Sequence, residues 1–102
     1  MTETLLTLNI EHFRPLIGET FDVQVNPQEA FEVVLAEASL LGGDVLPTSG
    51  RQPFSLVFRD ASRRLVPQAI YQISHAALGT LDIFMVPLQP DQQGTRFEVI
   101  FT

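Results

Sequence analysis

The sequence predicts an all-β chain of about six antiparallel strands, folded as a small β-sandwich or partly open barrel with one short N-terminal helix. Three observations predict it. Apolar and polar residues alternate along most of the 102 residues, the period of a pleated strand that is wet on one face. Turn-forming clusters, among them Asn26-Pro27, Gly42-Gly43-Asp44 and the stretch from Gln89 to Gly94, interrupt that alternation at intervals of roughly 8–15 residues. A helical stripe appears in few places, and a short helix is expected at one of them, near the start.

That place is residues 4–18, where Leu8, Phe13 and Leu16 with Ile10 and Ile17 fall on one helical face. Asn9 or Thr7 can cap the helix, and Pro15 followed by Gly18 ends it. From Thr20 to Val25, Phe21, Val23 and Val25 alternate with Asp22 and Gln24, a strand that Asn26 and Pro27 close. Residues 29–41 fit two periods: Phe31, Val34, Leu35 and Ala38 a helix, Phe31, Val33 and Leu35 a strand. The β-branched pair Val33-Val34 favours the strand, while the alanines and glutamates keep the helix in contention.

Gly42 to Gln52 reads as a turn and loop, and Phe54, Leu56 and Phe58 then alternate with Ser55, Val57 and Arg59 in a strand. The polar run Asp60-Ala61-Ser62-Arg63-Arg64 separates it from a strand in 65–74, and a glycine-terminated connection, His75 to Gly79, leads on. Between 81 and 86, Leu81, Ile83 and Met85 alternate with Asp82, Phe84 and Val86. Apolar residues on both sides of that strand predict a central strand covered on both faces. If the small domain lacks a second layer, Phe84, Val86 and Leu88 form an exposed patch instead. Phe97, Val99 and Phe101 build the last strand, after a hairpin loop at 89–94.

Composition narrows the function. The chain is 45% hydrophobic and 18% charged, so it folds, and its length suits a single domain over 1–102. Without cysteine it holds no disulfide, thiolate metal site or thiol nucleophile, and its core must suffice unaided. Twelve acidic residues face six basic ones, for a net charge of −6, and all six are arginine. A nucleic-acid or anionic-membrane binder neutralises phosphates with clustered Lys and Arg, so neither partner is expected. The absence of lysine removes the P-loop and Schiff-base chemistries. No run of 18 apolar residues occurs, and the acidic start MTETLLTLNIEH lacks the basic region and cleavage site of a secretion leader. The expectation is a protein cytoplasmic as synthesised, with later assembly into a particle allowed.

The segments FRPLIGETFDV (13–23), PFSLVFRD (53–60) and VPQAIYQISHAALGTLDIFMVPLQPDQQGTRFEVIFT (66–102) resemble a family of small bacterial proteins of about 100 residues, a domain of unknown function. The resemblance spans the Phe-Leu-Gly-Phe start, the Pro-Phe-Ser-Leu-Val-Phe-Arg strand, the Tyr-His-Leu-Gly unit and the aromatic last strand, but not 26–52. Ala69, Ala76 and Phe97 stand where the family pattern has Gly, Pro and Tyr. It implies no catalytic residues, and a loose association with phage-tail-collar-like fibre proteins.

Two readings of function follow. The first is a non-catalytic structural or protein-interaction module without cofactor or metal, binding a protein partner or another copy of itself. Phe84, Val86 and Leu88 are its candidate apolar contacts, and Arg63 and Arg64 its polar rim. The cluster Arg59, Asp60, Arg63 and Arg64 can clamp a carboxylate or phosphate, or form a solvated turn with Asp60 neutralising its neighbours. The second reading is a small ligand-binding or hydrolytic enzyme in which His75 acts with Tyr71 or Ser74, or shares a metal with Asp82. Against it stands a local role for His75, its ring bonding backbone to fix the 75–79 turn. His12 reads as a surface residue, and Asp22, Asp82 and Glu98 as outward, solvated carboxylates.

Overall fold

The computed structural model describes residues 8–41, 52–60 and 66–101. Its strands are β1 (Thr20–Asn26), β2 (Glu29–Leu40), β3 (Phe54–Asp60), β4 (Ala69–His75), β5 (Gly79–Pro87) and β6 (Thr95–Phe101). They close into a barrel in the order β1-β2-β3-β6-β5-β4, every neighbouring pair antiparallel. Two three-strand meanders, β1-β2-β3 and β4-β5-β6, are thus joined edge to edge, which leaves no lateral sheet edge outside the ring. β3 and β4 stand on opposite sides of the ring, separated by β6 and β5 one way and by β2 and β1 the other.

The alternation read from the sequence is the alternation of this wall. Phe54, Leu56 and Phe58 on β3, and Phe97, Val99 and Phe101 on β6, all face inward and are buried. Seven of the eight phenylalanines lie in the core. Their rings touch in pairs: Phe54 stacks on its register partner Phe101 at 4.6 Å, and Phe21 meets Phe58 edge-on at 5.1 Å. Such offset and edge contacts add about 0.5–1.5 kcal/mol per pair to the burial itself.

The N-terminal helix is shorter than its apolar stripe. α1 (Ile10–Phe13) passes directly into a 3-10 turn over Arg14–Leu16. Asn9 is the cap: its side chain accepts the amide of Glu11, and His12 Nδ1 accepts the amide of Asn9, which puts a histidine in the glutamate place of a capping box. His12 is exposed, as read from the sequence. Leu8, Ile10, Phe13 and Leu16 are buried, and Phe13 packs on Phe54 and Phe101, so this element plugs one end of the barrel. Ile17 faces out at 44% exposure. Thr7, the alternative cap, lies outside the described residues.

Residues 29–40 are a strand, and the helical appearance of the segment has a local cause. The pairing with β3 slips between Leu35 and Glu37, so a bulge at Ala36 shifts the inward face from Phe31, Val33 and Leu35 to Ala38. A step of three across the bulge looks like a helical turn. Gly18 and Glu19 close the gap, with Gly18 N–H bonding Leu35 O at 2.7 Å and Leu35 N–H bonding Glu19 O at 3.1 Å.

One expectation is overturned. β5 is not covered on both faces: Leu81, Ile83 and Met85 fill the interior, whereas Phe84 on the opposite face is 50% exposed. A ring of one sheet has a single inner layer, and no described element packs over the outside of this strand. The turn and loop at 42–51 and the polar run after Asp60, with Arg63 and Arg64, lie outside the described residues.

Candidate functional site

Phe84 has company on the outer wall. Its register partner on β4 is Ile70, 68% exposed, and extending the β5–β6 register from Val86↔Glu98 by two residues brings Ile100, 48% exposed, level with it. The three form a transverse apolar row across β4, β5 and β6. About half of three side chains, each of roughly 150–250 Å², amounts to on the order of 300 Å², the lower end of the largest patch on a typical monomer. A standard interface needs about 800 Å² per partner, so the row is large enough to centre a contact and too small to complete one. Val86, partly exposed, adjoins it, and Leu88 follows beyond the end of β5, its amide bonded to Arg96 O at 2.8 Å. Of the apolar residues singled out from the sequence, Phe84 and Val86 share the outer face of β5, and Ile70 and Ile100 enlarge the group. Those two were missed because only the strand order shows which outward residues adjoin.

Above this row, on the same outer face of β6, come Glu98 and then Arg96. Arg96 stands directly opposite Arg59 of β3. Like charges in register repel, and the offsetting group is Asp91, from the β5–β6 loop. Arg59 Nη1 donates to Asp91 Oδ1 at 3.0 Å and approaches Oδ2 at 3.3 Å, while Arg96 Nε lies 3.6 Å from Oδ2. Asp91 is itself fixed by the amide of Gln93, at 2.8 Å on Oδ1, and by the Asp91–Gly94 backbone pair. That amide, followed by Arg59 and Arg96, holds the Asp91 carboxyl below the usual carboxylate range. The strand pleat turns Asp60 to the interior, 4% exposed, and Arg59 to the outside.

The second reading set His75 to act with Tyr71 or Ser74; on β4 His75 and Tyr71 lie on the inner side of the pleat and Ser74 on the outer. His75 sits where β4 ends, on the inner side of the pleat, its ring 4.6 Å from that of Phe21. Nδ1 accepts the amide of Ala77 at 2.9 Å, and Nε2 lies 2.7 Å from Glu19 Oε1. Because Nδ1 accepts, the neutral ring carries its proton on Nε2 and donates it to Glu19. Both nitrogens are engaged: the ring holds the 75–79 turn and ties it to the segment before β1. Tyr71, four residues and about 13 Å away along the strand, bonds Pro67 O through its hydroxyl, and burial pushes its phenol up. Ser74 faces outward and shares a 3.1 Å hydrogen bond with Thr80. Asp82 is also outward, on the other side of the wall from His75. Among the described residues no group of three histidine or carboxylate side chains is arranged to hold a metal ion.

One shallow depression of about 460 Å³ lies on the outer side of β1, β2 and β4, lined by Asp22, Gln24, Glu32 and Ser74 among others. Asp22 and Glu32 are register partners, so this part of the wall is strongly negative and wide open to solvent. No helix among the described residues is long and apolar enough to cross a membrane.

A family model described as a domain of unknown function (DUF6916) matches residues 8–101. The chain belongs to that family. The match takes in both meanders and the helical plug of this DUF6916 domain, including the 26–52 stretch that the resemblance in the sequence did not reach. No curated protein and no solved structure matches the chain.

Proposed function

We propose that this DUF6916 domain is a non-catalytic structural module that binds another protein through the outer face of β4, β5 and β6. One observation carries the reading: Ile70 and Phe84, 68% and 50% exposed, are register partners on β4 and β5, and the continued β5–β6 register brings Ile100, 48% exposed, level with them. Isolated exposed apolar side chains are ordinary on a soluble protein, while a contiguous row rimmed by charge is the composition of a contact. Val86 and Leu88 extend the row, and Glu98, Arg96 and Arg59 border it. The partner proposed from the family resemblance is a fibre protein of the phage-tail-collar kind, with a second copy of the chain as the simpler case.

The test is a photo-reactive amino acid at position 84, cross-linked in cells that carry the native partners. A single defined adduct is expected, and Phe84→Asp in a tagged chain abolishes its recovery while leaving the circular dichroism spectrum unchanged. Light scattering at micromolar concentration separates the two partners, a doubled mass identifying self-association. No adduct from position 84 under any condition overturns the proposal.

A further inference from the structure

The outer face of β4, β5 and β6 carries a carboxylate on either side of its apolar row. On β5, Asp82 lies two positions before Phe84 on the same outward face, and Val86 two positions after it. Glu98 of β6 is the register partner of Val86, so it borders the row from the opposite side. Among the described residues neither carboxylate is in an ion pair. The register partner of Asp82 on β4 is the neutral Gln72, and that of Glu98 on β3 is Val57, with Glu37 next across on β2. Arg59 and Arg96 stand beyond Glu98 and are met by Asp91, and with Glu37 and Glu98 on the same face three carboxylates surround those two arginines. The row is thus bordered by net negative charge, in a chain whose total is −6.

The spacing decides what kind of cation fits. Asp82 and Val86 are four positions apart, about 13 Å along the strand, and Glu98 is one strand spacing of about 5 Å to the side, so the two carboxylates are about 14 Å apart. That exceeds the roughly 8 Å screening length of physiological salt, so one small cation does not serve both. Two cations carried by one chain do. In an extended segment the side chains at every second position point the same way, and three of them in a row span about 13 Å. We infer that this face docks a basic segment of a partner protein, an apolar side chain seated on Phe84 between two Lys or Arg residues that reach Asp82 and Glu98. The inference rests on the proposed contact face and gives the chemistry of what binds there. The row supplies the buried area, and the charged rim supplies orientation and partner choice. A second copy of the chain fits worse, because it brings an acidic rim to an acidic rim and a second net charge of −6.

The probe is an acetylated, amidated seven-residue peptide with leucine at its centre, arginine two places to either side and threonine elsewhere, titrated into the full chain and followed by backbone amide NMR. Saturable shifts are expected at Ile70, Phe84 and Ile100. An exposed ion pair is worth at most about fivefold in affinity, so Asp82→Asn and Glu98→Gln each weaken the binding by about two- to fivefold, and glutamate in place of both peptide arginines weakens it at least about tenfold. Phe84→Ser, which removes the anchor and keeps every charge, weakens it while leaving its salt dependence in place. Equal binding of the arginine and glutamate peptides, the absence of any saturable shift, or shifts centred on Asp22 and Glu32 of the acidic depression overturns the inference. Cross-linking from position 84 in cells separates the two failures. An adduct whose yield is unchanged by Asp82→Asn together with Glu98→Gln sinks the basic segment alone, whereas no adduct at all sinks the contact face.

Discussion

Phe58→Leu and Phe84→Leu make the same chemical change on two faces of one wall, and the barrel gives them different costs. Phe58 is fully buried and meets Phe21 edge-on at 5.1 Å, whereas half of Phe84 is exposed. A buried swap of roughly conserved volume costs under about 1.5 kcal/mol, and the lost ring contact adds about 0.5–1.5 kcal/mol. Phe58→Leu is therefore expected to destabilise by about 1–3 kcal/mol, from a total on the order of 5–15 kcal/mol for a chain of this length. With a urea slope of about 1–3 kcal/mol per molar, a middle value lowers the midpoint by about 1 M. Phe84→Leu stays within about 0.5 kcal/mol of the parent. Urea unfolding followed by circular dichroism reads both, and a double-mutant cycle with Phe21→Leu isolates the ring pair at about 0.5–1.5 kcal/mol. If Phe84→Leu costs as much as Phe58→Leu, the assignment of inner and outer faces is wrong.

Three further outcomes follow from single contacts. Asp91 ionises more easily in the fold than when unfolded, so its contribution to stability is complete above the usual carboxylate range and is lost as pH falls through its lowered value; Asp91→Asn should flatten that acid limb when urea midpoints are compared from pH 7 to pH 2. Asn9→Ala removes the helix cap and should cost about 0.5–2 kcal/mol, visible as a lower thermal midpoint. Gly79 has φ +75° with open space around its missing Cβ, so Gly79→Ala should lose about 1–2 kcal/mol from backbone strain alone, and Gly79→Asn, which tolerates that region, distinctly less in the same melt.

Much of the barrel is legible because its wall is one layer thick. Each strand shows its inner face every second residue, and β3 and β6 could be read almost to the residue. Where the reading blurred, at residues 29–41, a bulge had replaced the period of two by one step of three. What stayed hidden depends on closure. Arg59 and Asp91 are 32 residues apart and Glu19 and His75 are 56 apart, and only the ring order brings each pair together. The outer row is a mixed case: Phe84 was visible as an apolar residue on the wrong side of its strand, but Ile70 and Ile100 became its neighbours only through register. The backbone bond of the His75 ring was legible as a local fixing of the 75–79 turn, whereas its second partner, the carboxylate of Glu19, leaves no trace in the sequence.

Cross-linking from the outer wall tests the contact face most directly. A photo-reactive residue at 84 is compared in cells with one at Gln24, which also points outward but lies on β1, beside the acidic depression. One discrete adduct from position 84, absent from position 24, is the predicted result. Equal, diffuse labelling from both positions would mean that Ile70, Phe84 and Ile100 are ordinary surface and that this wall has no dedicated partner.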